Sequence, residues 1–320
     1  MILALAGSSA CATCHQREYI SQLTTSMARA MEPVASCSIL QQHPALTFRE
    51  GIYYYRIERQ GNTSLYSVTD GKETITAPLE YAFGLGNAGQ TYVFERGGNF
   101  YESRVSFYQA VNALDLTMGA SNITPRNIEE ASGRLMSRPE AEQCFGCHTT
   151  SAQRDAFRTP ESLTPGVTCE HCHGSAIAHV EGFHQGKPVA MKSMSAISTE
   201  ELSDFCGQCH RTWAQIAADG PHNINNVRFQ PYRLASSKCY DPTDKRISCV
   251  ACHNVHQEIV SSDSFYDRKC LACHASAKSC PVSKQDCVSC HMPKLELPGA
   301  HYKFTDHRIR IVRANASYPP

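Results

Sequence analysis

One unit, Cys-x-x-Cys-His, occurs seven times in this sequence. It lies at Cys11, Cys14 and His15; Cys144, Cys147 and His148; Cys169, Cys172 and His173; Cys206, Cys209 and His210; Cys249, Cys252 and His253; Cys270, Cys273 and His274; and Cys287, Cys290 and His291. With 17 Cys and 15 His in 320 residues, composition alone would produce roughly 0.04 such matches. The unit has a specific chemistry. Two thiols three residues apart add to the vinyl groups of haem as thioethers, and the His that follows is held below the iron as its proximal ligand. Zinc sites also use Cys-x-x-Cys pairs, but they do not require a His directly after each second Cys. A disulfide framework would not generate the unit either. The expected cofactor is therefore haem c, covalently attached at seven places, with the motif Cys as attachment points and the motif His as metal ligands.

The sixth ligand decides what each haem does. Two strong axial ligands leave an electron carrier, whereas an open position binds small molecules. Besides the seven proximal His there remain His43, His171, His179, His184, His222, His256, His301 and His307, which suffice for seven irons. His179 and His256 follow closely behind motifs, where the chain reaches a neighbouring haem. His301 and His307 lie in a tail that a ligand role would anchor. His43 and His222 are further candidates, and His184 shares a segment with His179. His171 sits inside a motif and would have difficulty turning to another iron, so it is read as structural. Cys37, Cys239 and Cys280 remain. Cys239 and Cys280 are candidates for one disulfide, with Cys37 either free or paired between chains.

Attachment of haem through thioethers takes place outside the bacterial cytoplasm, so a periplasmic or extracellular location is expected. The stretch Met1–Ala6 reads as the tail of an export signal. No apolar run is long enough for a membrane-spanning helix. Lys and Arg together balance Asp and Glu at 30 each, which argues against a nucleic-acid binder acting through a basic field. Haem propionates change that balance, to about −7 oxidised and about −14 reduced, so redox protein partners with a basic patch are expected.

The elements that must position these residues are unevenly spread. One motif stands at 11–15 and six fill 144–291, about 25 residues for each haem. So thin a chain cannot build a conventional core around every haem, and the macrocycles are expected to form the core. Ser137 with Glu140 and Ser198 with Glu201 read as capping boxes ahead of two motifs, with Pro139 in a first turn. Arg211–Ala218 reads as a helix closed by Gly220 and Pro221. Between the first and second motifs, 52–59, 64–69, 91–96 and 100–107 read as strands, turned at Gln60-Gly61-Asn62, Asp70-Gly71 and Gly97-Gly98-Asn99. The pattern predicts an antiparallel meander of four to six strands, serving as a docking module or as a shield for haem edges. The fold class is mostly α with extensive irregular loops around a stacked multihaem core, plus an inserted antiparallel β-rich segment, α+β overall. The expected domains are 1–36, an N-terminal haem segment; 37–125, the β-rich insert; and 126–320, a six-haem domain with a ligand-donating tail.

The motifs and their surroundings resemble the multihaem cytochromes c of the cytochrome c-554 type. Gly7-Ser8-Ser9-Ala10-Cys11 resembles the opening haem motif of that group. Cys169-Glu170-His171-Cys172-His173-Gly174, with His179 following, is similar to its Cys-Glu-x-Cys-His-Gly run. Cys287–Pro293 is similar to its last-haem run, and Phe304-Thr305-Asp306-His307 resembles the tail beyond. The resemblance implies electron transfer. Where many relatives carry a His after the first motif, this chain has Met27, which is then a candidate ligand to the haem of His15. A thioether would hold that haem at higher potential than a second imidazole. The leading functional expectation is a heptahaem electron carrier or conduit. The alternatives are a reductase or oxidase of small nitrogen or sulfur compounds with one open haem, and a homo-oligomer or extracellular filament of stacked cytochromes.

Overall fold

The computed structural model describes residues 4–150, 163–221, 223–275, 280, 282–283, 285–313 and 318. His222 and the first three residues of the apolar start lie outside them. The chain divides into two compact units: Met1–Ala190 with Pro298–Tyr302, and Met191–Leu297 with Lys303–Pro320. The fold is mixed α+β.

The first unit is built around an antiparallel sheet. Its strands are β1 (Met31–Pro33), β2 (Ala45–Glu50), β3 (Tyr53–Gln60), β4 (Thr63–Thr69), β5 (Thr74–Phe83), β6 (Gln90–Arg96), β7 (Asn99–Tyr108), β8 (Ala113–Leu116) and β9 (Gly133–Leu135). β2 to β8 follow one another as a meander, with β1 added to β5 and β9 to β7. β2 and β8 come side by side, so the meander nearly closes into a barrel. The four strands read from the sequence are all present, and the sheet is larger than expected. The additional β5 contains Pro78, a residue that argues against a strand. Here it pairs with Leu65, just before a register shift between Leu79 and Tyr81 that relieves the ladder.

Alternation explains which face is inside. In β3, Tyr53, Tyr55 and Ile57 are buried while Tyr54 and Arg56 point outward. The interior is aromatic, with Tyr55, Tyr66, Tyr92, Phe94 and Phe107 fully enclosed. The predicted turns form as read. Gly97 and Gly98 both have positive φ, 59° and 76°, which a two-residue type I′ hairpin requires. One ion pair ties the barrel: Glu50 receives Nε and Nη2 of the buried Arg104 at 2.6 and 2.7 Å. Cys37 lies in this core as well, with Sγ 3.2 Å from Gln90 Oε1. Its full burial rules out the pairing between chains that the sequence left open.

Every motif sits on a helical turn. The helices of the first unit are α1 (Ser8–Ala12), α2 (Gln16–Leu23), α3 (Ser38–Gln42), α4 (Ile128–Ser132), α5 (Arg138–His148), α6 (Cys169–His173) and α7 (Ile177–His184). Those of the second are α8 (Thr199–His210), α9 (Trp213–Asp219), α10 (Gln230–Ala235), α11 (Cys249–Cys252), α12 (Asp263–His274) and α13 (Cys287–His291). A small ribbon, β10 (Lys294–Glu296) with β11 (Lys303–Thr305), completes the second unit. Both predicted capping boxes are formed, Ser137 with Glu140 and Ser198 with Glu201. The helix expected from Arg211 begins two residues later. Arg211 takes φ 65° and ends α8, and Thr212 then caps α9 in a box with Gln215.

Candidate functional site

A helical turn places i and i+3 on one face and i+4 beside i, so each Cys-x-x-Cys-His turn presents two thiols and an imidazole together. α5 shows how such a turn is seated. Its Phe145 is fully buried against the outer face of the sheet, meeting Tyr81 edge-on at 4.8 Å and Phe83 at 5.2 Å. Burial among these rings pushes the Cys144 thiol up to about 11. Burial also pushes Cys11 up to about 11, with the Cys169 thiol close beside it adding to the effect.

The carbonyls around the imidazoles fix their tautomers. A carbonyl oxygen only accepts, so a ring nitrogen facing one must carry the proton, and the other nitrogen carries the lone pair a metal needs. His148 donates from Nδ1 to Ala30 O at 2.7 Å, and His291 to Arg310 O at 2.8 Å. His171, His179 and His307 do the same to Thr149 O, Val189 O and Thr305 O at 3.1, 2.6 and 3.0 Å. His253 has a hydroxyl instead, Tyr266 Oη at 3.4 Å.

Among the described residues, imidazoles face each other at His15 with His179 and at His253 with His307. His15 of the first motif and His179 of α7 have ring centres 6.5 Å apart with 32° between planes. His253 of the fifth motif and His307 of the tail are 6.2 Å apart at 39°. Burial holds His307 down to about 4 and keeps His253 and His210 below the usual range, so all three are neutral near pH 7.

The other candidates are placed differently. His301 directs Nε2 to Asp115 Oδ2 on β8 at 2.7 Å and lies 4.8 Å from the Tyr108 ring. His43 rests 4.8 Å from Phe107 of the barrel. His184 is exposed beside Phe183, and His256 lies in the turn after the fifth motif. Met27 is half-buried, and its carbonyl accepts the Val167 N–H ahead of the third motif. The strand-like stretch there depends on Gly166, where a Cβ would lie 1.7 Å from Ala28 O. Cys239 and Cys280 are exposed and unbridged.

Sequence reasoning missed the buried charges around these histidines. Glu170, inside the third motif, accepts the backbone N–H of Ala6, Gly7 and Ala176 at 2.9, 2.9 and 2.8 Å. Arg233 and Asp306 are fully enclosed together. No local pattern marks either. The only trace was Glu170 standing within the motif run that carried the family resemblance.

The second unit also fits a prosthetic group in its distribution of apolar side chains. Among its described residues, Leu202, Ile216, Val227, Val288 and Leu297 are buried, whereas Trp213, Val250, Val255, Ile259, Val260, Leu271, Val282, Ile311 and Val312 are exposed. A chain that presents more large apolar side chains than it buries is suited to line flat macrocycles. Paired thiols, neutral imidazoles and this apolar lining fit the donor set and cradle that haem c requires.

The chain is similar to multihaem c-type cytochromes. The family described as cytochrome c554 and c-prime matches residues 106–174, which include the second and third motifs. The multihaem cytochrome MtrA of Shewanella baltica (strain OS185) is 23% identical over 197 residues, 54% of this chain and 53% of that protein. The chain thus matches about half the length of this curated relative. Among solved structures, the outer cell wall cytochrome OcwA aligns with 64% of this chain and 37% of its own at 18% identity, with a TM-score of 0.36. Among the described residues no helix is long and apolar enough to cross a membrane.

Proposed function

We propose that the protein carries seven haems c and acts as an electron conduit outside the cytoplasm, exchanging electrons with redox proteins. The observation that supports this reading best is the separation of the two facing imidazole pairs. Two metal–nitrogen bonds of about 2.0 Å, each extended by roughly 1.1 Å to a ring centre, demand about 6.2 Å between imidazoles on opposite sides of one iron. His15 with His179, and His253 with His307, stand at 6.5 and 6.2 Å. Haem c, when bound, supplies one-electron redox chemistry. In this reading Cys11 and Cys14 hold the first haem, and His15 and His179 saturate it, leaving Met27 a packing residue. Cys249 and Cys252 hold the fifth, and His253 and His307 saturate it. The remaining motif Cys and His hold the other five.

The carbonyls on His179 and His307 orient both rings before any metal arrives, so the ligands are not readily displaced. A saturated site has no position for nitrite or hydroxylamine, which separates a conduit from a reductase. His301 is the candidate least suited to ligation through Nε2, because Asp115 already engages that atom. Thioether formation needs reduced thiols and exported haem, which supports the location outside the cytoplasm.

Low-temperature EPR of the oxidised holoprotein, with and without cyanide, tests this reading. Only low-spin signals, unmoved by cyanide, are expected, and intact mass should exceed that of the polypeptide by seven haems. A stoichiometric high-spin signal that shifts with cyanide would favour the reductase alternative.

A further inference from the structure

We propose that Arg233 is a positioning residue that sets the axial histidines of two different haems through one carboxylate, Asp306. The proposal rests on the reading of His307 as the partner of His253 given above. Arg233 lies on α10, and both it and Asp306 are completely buried. The contact is a two-pronged fork, Nε to Oδ1 at 2.9 Å and Nη2 to Oδ2 at 3.1 Å, so it fixes direction as well as distance. The guanidinium is held in turn by Asn226 Oδ1 at 3.1 Å and by the Tyr318 ring at 4.6 Å.

Asp306 passes this order to the tail on both sides. Its N–H donates to Pro293 O at 3.0 Å, beyond the seventh motif. Its Oδ1 accepts the Arg308 N–H at 3.0 Å, and Arg310 reaches Oδ2. Ser237, just past α10, donates to His307 O at 3.1 Å and accepts the Ile309 N–H at 2.8 Å. The stretch from Asp306 to Arg310 is therefore held at each of its residues. That grip has two outputs: His307 faces His253, and Arg310 O accepts Nδ1–H from His291 at 2.8 Å.

An enclosed ion pair is weak evidence for stability, because apolar residues of similar volume often serve as well or better. A bidentate charge pair at the base of a ligand-bearing loop is explained by placement. The carboxylate thus carries two guanidiniums, those of Arg233 and Arg310, one residue from His307 of the His253–His307 pair. Removing Arg233 should therefore lower the potential of that haem as well as loosen its sixth ligand.

The test uses oxidised holoprotein and four variants: Arg233→Met, Arg233→Lys, His307→Ala and the double variant Arg233→Met with His307→Ala. His307→Ala should convert one haem of the set to high spin and bind about one equivalent of cyanide. Arg233→Met should produce the same high-spin signal in a large fraction of molecules. It should also shift one further low-spin signal, that of the haem served by His291. Arg233→Lys keeps the charge without the fork and should fall between wild type and Arg233→Met. The double variant should match His307→Ala in cyanide equivalents, because both changes act through one ligand. Arg233→Met with every haem low-spin, or a double variant binding about two equivalents, overturns the proposal. If Arg233→Met cannot be recovered, Arg233→Lys decides, and a spectrum identical to wild type overturns the proposal. A His307→Ala spectrum identical to wild type instead overturns the ligand reading on which the proposal rests.

Discussion

Replacing Glu170 by Gln keeps the volume of the side chain and removes its charge. The carboxylate is buried and accepts three backbone N–H groups, two of them from Ala6 and Gly7 at the start of the chain. Those two bonds cross more than 160 residues and hold the helix bearing Cys11 against the helix bearing Cys169. An amide offers one acceptor oxygen, and its NH₂ would face an N–H that already donates. Hydrogen bonds to a charged group contribute about 1.5–3 kcal/mol each, so losing one and weakening another should cost about 2–3 kcal/mol. At 1.4 kcal/mol per tenfold, local opening of the first helix should become roughly 30- to 150-fold more frequent. Hydrogen exchange followed by mass spectrometry on the oxidised holoprotein measures this directly. Amides of residues 6–15 should lose that much protection, while the barrel amides of β3 and β4 keep theirs. A variant whose first motif exchanges as in wild type would refute the idea that Glu170 pins the two motifs together.

Two further predictions follow from groups in the first unit and from the spare thiols. The hydrogen bonds from Arg104 hold Glu50 below the usual carboxylate range against the opposing effect of burial, so the pair stabilises the barrel above the ordinary Glu pKa. That contribution is lost as pH falls through the lowered folded-state value. Glu50→Gln should therefore cost about 2–3 kcal/mol near neutrality, with the difference from wild type closing in acid, as read by denaturant midpoints across pH. For the thiols, the backbone N–H groups of Ser283 and Val282 hold Cys280 below its usual range, whereas burial pushes Cys239 and Cys37 up. Iodoacetamide should label Cys280 first, Cys239 more slowly and Cys37 only on unfolding, with peptide mass mapping as the readout. Equal labelling of Cys37 and Cys280 in the native protein would contradict its place in the barrel core.

What was legible in the sequence was local. The seven Cys-x-x-Cys-His units each form a turn of helix, because the spacing of thiol, thiol and imidazole is itself a helical spacing. Ser137 and Ser198 cap their helices since the partner Glu stands three residues on. Gly97-Gly98 turns a hairpin because positive φ is free to glycine. Two of the missed strands fail local tests: β5 carries Pro78 and a bulge, and β8 is only four residues long.

Which imidazole meets which was not local. His179 stands opposite His15, and His307 opposite His253, because distant segments were brought together by buried carboxylates. Sequence distance made His301 as good a ligand candidate as His307, and tertiary structure gave its Nε2 to Asp115 instead. Glu170, Arg233 and Asp306 look like ordinary surface charges in the sequence. Only enclosure makes them decisive, since a charge removed from water must find partners, and the partners it finds fix the chain around it. The sequence by itself determined that each Cys-x-x-Cys-His unit would form a helical turn and that an antiparallel sheet rich in aromatic residues would stand between the first two. Long-range burial alone decided which imidazoles face each other, because two rings meet only where the fold delivers distant segments within a few ångströms.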